Sequence, residues 1–393
     1  MNLVSLPLIT LFIASLSLLL YGAASWLTDL RTDVFTFEIL FFAIFALYVL
    51  ESFMVVRSKD IGERLVAILI GAAIIFRFLV AFASPMLSSD LYRYVWDGRV
   101  QQAGYSPYAY PPNDETLKKL RLDEKNKLRA DYKKMAHTAK EGTSIYPPAA
   151  QIFFYRIAAA GDDTPIALKV ALSFIDVLTV LILLALAKRL KRPPGLVILY
   201  AWSPLVIFEI SGSGHIDGLA VFFAVAAAYL AVAGLSGGQF EAAGKRFAAG
   251  GFAGLAAAAK IYPAAVLPAL SNKRDWPFYA GAAGLFGLAY LPYLKTGGVM
   301  LPFSGGGASG PHFNTGLKTA VEWLCGGPSP GVDNAYMICI LAVLIFAGVY
   351  YWWKDKTADD MIRAAYVLLG LLIVLLPFTV PWYLILVLPF AVL

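Results

Sequence analysis

Three short passages hold most of the residues that could do chemistry. The first runs Ser88-Ser89-Asp90-Leu91-Tyr92-Arg93-Tyr94-Val95-Trp96-Asp97-Gly98-Arg99, where an apolar run ends. On a helix, Asp90, Arg93, Tyr94 and Asp97 fall three, four and seven apart, so they share a face and Arg93 can pair with either carboxylate. Two carboxylates and two guanidinium groups at a membrane boundary are costly unless they pair or act. An ion-pair brace and a binding or catalytic role both stay open. The second passage, Glu209-Ile210-Ser211-Gly212-Ser213-Gly214-His215-Ile216-Asp217-Gly218, is a polar turn between two apolar runs, and its glycines let a backbone approach a ligand closely. His215 can donate to a phosphate, and Asp217 can orient a partner or a sugar. A metal site is the alternative, although no third and fourth ligand stand at conventional spacing. The third is Ala259-Lys260-Ile261-Tyr262-Pro263. A lysine in a stretch of Ala, Gly, Val and Leu is a functional candidate by default, with snorkelling to the surface as the alternative.

Other polar positions are weaker. The glycine-rich loop 304–314 ends in Pro311-His312-Phe313-Asn314, either a flap with two sugar or phosphate contacts, His312 and Asn314, or a plain flexible loop. Arg77 and Asp176 lie inside apolar runs and are expected to pair with each other. Ser144-Ile145-Tyr146-Pro147-Pro148 suits a helix start, where proline's missing donor costs nothing; it shapes the site and carries no chemistry.

These passages need elements to hold them, and composition says which kind. Of 393 residues, 59% are hydrophobic and 15% charged, with a mean hydropathy of +0.69. That exceeds what a soluble core can hide, and lipid permits only structures that satisfy their own backbone, which points to helices. The expectation is an all-α polytopic membrane protein with roughly ten or eleven spans. Candidate spans are 3–26, 35–56, 65–84, 166–187, 196–210, 216–233, 278–294, 335–352, 362–380 and 382–393. The first lacks a basic leader and a small-residue cleavage site, so it reads as a retained span. Short basic loops at 57–64, 188–192 and 354–363, with Lys245-Arg246 and Lys273-Arg274, should lie in the cytoplasm. That condition makes 147–160 an interfacial or re-entrant helix. It also makes 247–270 a hairpin dipping in from the cytoplasm and turning near Lys260. Asp90, His215, Lys260 and the long loops then face the opposite side, together with His137 and His312. The charged stretch 114–141 is expected to be a helix, either on lipid headgroups or solvated. Cys325 and Cys339 are expected to stay unpaired, the net charge of +6 reports orientation rather than nucleic acid, and no internal repeat divides the chain.

At these residues the chain resembles the GT-C superfamily of membrane glycosyltransferases, most closely the bacterial polyprenol-phosphate-mannose-dependent mannosyltransferases (glycosyltransferase family 87-like). The resemblance rests on Asp90-Leu91-Tyr92-Arg93-Tyr94 with Trp96-Asp97-Gly98, on Tyr146-Pro147-Pro148, on Gly214-His215-Ile216-Asp217 and on Lys260-Ile261-Tyr262-Pro263. It implies a GT-C fold with interfacial helices in the first large external loop, 85–163. It also implies a catalytic core over 63–296, preceded by two additional spans over 1–62 and followed by 297–393 in one domain. The implied activity is inverting transfer of a hexose, mannose by this resemblance, from a polyprenyl-phosphate donor to a hydroxyl of a glycolipid or polysaccharide. Transfer would take place on the non-cytoplasmic face of the inner membrane. Asp90 would be the general base. Lys260, His215, Arg93 and Tyr262 would bind the donor phosphate, with Asp97, Arg99, Tyr94, Asp217, His312 and Asn314 supporting substrate. No cofactor is implied, and a divalent metal is not favoured. The rival is a transporter or flippase of a lipid-linked sugar, which the one-sided polar residues and the missing repeat argue against.

Overall fold

The computed structural model describes residues 5–27, 32–58, 61–84, 87–161, 163–294 and 315–393. His312, Asn314 and the 304–314 loop lie outside the described residues. Helices dominate, and the only β pairing among the described residues is an isolated bridge between Leu122 and Leu128. Three apolar helices open the chain: α1 (Ser5–Ser25), α2 (Val34–Arg57) and α3 (Glu63–Ala81). A compact unit follows, built from α4 (Asp90–Gln102), a 3₁₀ turn (Glu115–Arg121), α5 (Ala130–Lys134), α6 (His137–Glu141) and α7 (Pro148–Ala159). The chain re-enters the bundle through α8 (Pro165–Arg189) and the short helices α9 (Ile198–Ala201) and α10 (Pro204–Val206). A π-helical turn (Ile207–Gly212) leads into α11 (Asp217–Ala233). Then come α12 (Gln239–Ala259), α13 (Val266–Leu270), α14 (Trp276–Tyr290), α15 (Gly316–Leu324), α16 (Pro330–Trp353), α17 (Ala358–Leu375) and α18 (Leu384–Ala391).

The molecule is an all-α polytopic membrane protein. Helices α1, α2, α3, α8 and α16 are long and apolar enough to cross a bilayer, and a bent pair, Pro194–Ala201 with Pro204–Gly212, adds a sixth span if taken as one. Sequence hydropathy suggested more because it registers apolarity without length. Helices α11 and α14 have 17 and 15 residues, about 26 and 23 Å, short of the roughly 30 Å hydrocarbon core. The expected span at 196–210 is kinked by 48° where Pro204 cannot donate to the preceding turn.

The expected helix over 114–141 is absent. In its place, two short helices and a 3₁₀ turn fold around Tyr92, Trp96, Val100, Leu117, Tyr132 and Met135 as a small separate core. The break falls at 123–126: the Asp123 carboxylate accepts from the Lys125 and Lys127 backbone amides, and Asn126 sits at φ 56°. Burying six large side chains outweighs the weak propensity of a charged helix.

The basic loops gather at one end of the bundle. Arg246 bonds the Leu270 carbonyl and the Asp275 carboxylate, so the chain that leaves Arg246 towards Lys260 returns to Arg246's depth by residue 275. This is the hairpin, with one long arm and one short. Lys273 lies over the Trp353 ring at 3.8 Å, Lys356 donates to the Pro268 and Ser271 carbonyls, and Arg192 pairs with Asp359 at 3.0 Å. Helices α12 and α14 approach until their backbones touch: a Cβ on Gly250 would fall 1.8 Å from the Phe278 carbonyl oxygen, the close contact that small residues permit in membranes.

Candidate active site

Helix α4 begins at Asp90 and runs along α7. Their backbones approach so closely at Gly98 that a Cβ there would lie 2.6 Å from the Phe154 carbonyl oxygen. The face predicted to be shared is shared. Arg93 Nε donates to Asp97 Oδ1 at 2.7 Å, while the Arg93 Nη1 donates to the Gly142 carbonyl at 2.9 Å and also to that of Ala139. Asp97 further accepts from Ser144 Oγ at 2.5 Å and Gln151 Nε2 at 2.8 Å. Arg99, on another face, bridges Asp131 at 2.7 Å and Asp163 at 2.6 Å. Arg93, Asp97 and Arg99 therefore tie the 103–147 loop and α7 to α4. Arg93 and Arg99 each keep one buried guanidinium nitrogen, Nη2 and Nη1 respectively, without a hydrogen-bond partner among the described residues. Tyr94 stacks on Phe154 at 4.7 Å and meets Tyr146 edge-on at 4.8 Å.

The other described candidates converge at the end of the bundle opposite the basic loops. Helix α12 stops at Lys260, whose backbone is extended. Its ammonium lies 3.2 Å from Asp217 Oδ2 and 5.3 Å from the centre of the Tyr146 ring. Tyr262 donates to the other Asp217 oxygen at 2.6 Å. Asp217 is fully buried at the first position of α11, where a helix N-terminus favours negative charge. His215 Nδ1 stands 2.9 Å from Glu209 Oε2, inside the π-helical turn, a local geometry common at functional sites. Gly214, at φ +74°, allows that turn to pass against α4 and α8: a Cβ there would lie 2.8 Å from Leu91 and 3.1 Å from Lys169. Asp90 is half-buried at the start of α4, next to Leu91, whose side chain lies against the Gly214 turn that carries His215. Asp90, His215, Asp217, Lys260 and Tyr262 thus belong to one cluster.

Sequence reasoning missed three of its members and a buried lysine nearby. Trp382 stacks on the His215 imidazole at 4.0 Å and 18°, and Tyr383 packs on Tyr262 at 4.8 Å. Both sit on a 3₁₀ turn, Pro381–Tyr383, at the start of the last apolar run, where aromatic residues usually signal only the interface. Glu209 stood in the second passage without a role. Lys169 was hidden in an expected span; it is buried and donates to the Val80 and Ala83 carbonyls at 3.2 and 2.6 Å, a cation at the C-terminal end of α3. The intramembrane pair forms as expected, with Arg77 Nε 2.7 Å from Asp176 Oδ2 and Tyr200 donating to Asp176 at 2.5 Å. His137 is exposed and pairs with Glu141 at 3.5 Å, away from the cluster.

A buried charged cluster at the broken ends of membrane helices marks a functional site. Residues 14–272 match the family described as alpha-(1->6)-mannopyranosyltransferase, N-terminal domain (MptA_B). The chain belongs to this family and is a mannosyltransferase of the membrane. No curated protein and no solved structure gives a match.

Proposed function

We propose that the protein moves mannose from a polyprenyl-phosphate carrier to a hydroxyl of a glycolipid or polysaccharide, with inversion, at the non-cytoplasmic face of the inner membrane. The observation that carries this reading is the state of the site's four carboxylates. Asp97 is held by Arg93, Ser144 and Gln151, Glu209 by His215, and Asp217 by Lys260 and Tyr262. Asp90 forms no side-chain hydrogen bond or ion pair with any described residue. A general base needs a lone pair free to take a proton, and Asp90 has one.

Asp90 takes the proton of the acceptor hydroxyl as that oxygen bonds to the anomeric carbon. The bond from that carbon to the carrier phosphate breaks on the opposite face, and the electron pair leaves with the phosphate. Lys260 and His215 stabilise the charge that grows there, which accelerates the step because it is largest in the transition state. Asp217 orients Lys260 and Tyr262. Tyr94 forms part of the wall behind them, while Arg93, Asp97 and Arg99 position α4 and so Asp90.

A lipid carrier is supported by an apolar groove of about 380 Å³, lined by Gly254, Ala257, Ile261, Phe286 and Tyr290 among others. It begins one residue beyond Lys260, so an isoprenoid chain lying in it has its phosphate at the ammonium. The gathering of basic loops at the far end supports a cytoplasmic placement for that end. The chain would work as a single unit, the first two helices being an addition to the core. In nanodiscs with labelled polyprenyl-phosphate mannose, Asp90→Asn should lower transfer by about 10²- to 10⁴-fold and leave thermal unfolding unchanged, because no ion pair is lost. Normal turnover by this variant removes Asp90 from the mechanism, and transfer from a soluble nucleotide sugar in place of the lipid removes the carrier.

A further inference from the structure

Helix α4 separates two sides of the protein. Asp90, Tyr94 and Asp97 look towards α7 and the Lys260 cluster, whereas Tyr92, Trp96 and Arg99, spaced four and three apart, form another face. That second face backs a cleft of about 660 Å³, well inside the roughly 300–1,000 Å³ of small-ligand sites and separate from the apolar groove beside Lys260.

The cleft is two-layered. Its floor is apolar and includes Phe82 and Ile166, both exposed, at the facing ends of α3 and α8. Its wall is polar. Arg129 lies 3.4 Å from Asp131 and 3.5 Å from Asp163, the same two carboxylates that Arg99 holds from behind, and Lys134 stands over the Tyr92 ring at 5.8 Å. The lining as a whole has four carboxylates and three cations. Such a wall offers acceptors and donors in near balance and selects neither a polyanion nor a polycation. It suits a neutral, hydroxyl-rich chain. Tyr92 lies two residues from Asp90, which stands at the tip of the same helix, where the two sides meet.

The geometry points to this cleft as the acceptor's site: a neutral saccharide lies against Tyr92, Lys134 and the Asp131–Asp163 wall, and its lipid anchor runs over Phe82 and Ile166. The terminal hydroxyl reaches Asp90 from the side opposite the donor groove. The inference rests on the transferase reading above and adds a chemical class and a location for the second substrate.

Two experiments on the full-length protein in nanodiscs test it. Lys134→p-benzoylphenylalanine, carried together with Asp90→Asn so that no turnover is needed, is irradiated with radiolabelled octyl α-(1→6)-dimannoside or with labelled polyprenyl-phosphate mannose. The expected result is labelling by the dimannoside, competed by unlabelled octyl dimannoside and about tenfold more weakly by the free disaccharide. Labelling by the donor alone, or labelling that nothing competes, overturns the site; equal competition by the free disaccharide overturns the lipid floor. In the otherwise unaltered protein, Ser84→Trp, which narrows the cleft, should raise KM for octyl dimannoside about tenfold and leave KM for the donor unchanged. An unchanged acceptor KM overturns the assignment. Because crosslinking does not depend on chemistry at Asp90, failure of the general-base reading and failure of this one give different results.

Discussion

Replacing Lys260 with methionine separates its role as counter-ion to Asp217 from the proposed one as ligand for the donor phosphate. The pair is 3.2 Å apart, with the ammonium 16% exposed and the carboxylate fully buried. At an effective dielectric of about 20, its attraction is about 5 kcal/mol. Asp217 would keep the Tyr262 hydrogen bond of 2.6 Å and its place at the start of α11, so the expected destabilisation of Lys260→Met is about 3 kcal/mol, the low end for a buried charge stripped of its partner. The double variant Lys260→Met/Asp217→Asn removes the orphaned charge and retains an acceptor for Tyr262, so most of that loss should return. Transfer should not return, because a cation beside the leaving phosphate is missing, a change costing about 10²- to 10³-fold in turnover. Thermal unfolding in detergent and single-turnover transfer from labelled polyprenyl-phosphate mannose give the two readouts. A double variant that recovers both stability and near-normal transfer would refute the reasoning, since Lys260 would then serve Asp217 alone.

Three further outcomes follow from the geometry. Trp382→Ala should cost His215 its ring partner, worth about 0.5–1.5 kcal/mol, and lower turnover up to about tenfold, with Trp382→Phe keeping most of the activity; equal turnover in the alanine variant would sever Trp382 from the site. Gly98→Ala drives a Cβ against the Phe154 carbonyl and should destabilise the protein by about 1–3 kcal/mol, read as a lower unfolding temperature. Ala283→Trp obstructs the groove beside Lys260 and should raise KM about tenfold for a long-chain donor, the worth of roughly two buried methylenes; an equal rise with a short-chain analogue would place the obstruction elsewhere.

The charge chemistry was legible wherever a local period or a composition break carried it. Spacing along α4 anticipated the Arg93–Asp97 pair, and two opposite charges inside apolar runs anticipated Arg77 with Asp176. The sign pattern of the short loops anticipated the turn at Lys260, because a rule about loop charge constrains both arms of a hairpin at once. What stayed hidden depended on contacts distant in sequence. Nothing local in the 114–141 stretch announces that Leu117, Tyr132 and Met135 will meet Tyr92 and Trp96, so a charged helix was the natural expectation. The carbonyls that Arg93 bonds, at 139 and 142, lie more than forty residues away, out of reach of any local pattern.

The family match ends at residue 272, yet the cluster does not. The Pro381–Tyr383 turn brings Trp382 onto His215 and Tyr383 onto Tyr262, and buried side chains of α18 join the same core as those of α3, α8 and α11. The turn therefore cannot move without disturbing the imidazole and the phenol that flank Lys260 and Asp217. A proline at its first position fixes one backbone torsion, and its two neighbouring aromatic side chains give the contact large area with few rotatable bonds, so little freedom is lost in holding them. On the proposed mechanism the reacting groups reside in the matched part of the chain, while Trp382 and Tyr383 shape their surroundings from outside it. Exchanging the 381–383 turn should accordingly change which sugar is carried more readily than whether one is transferred.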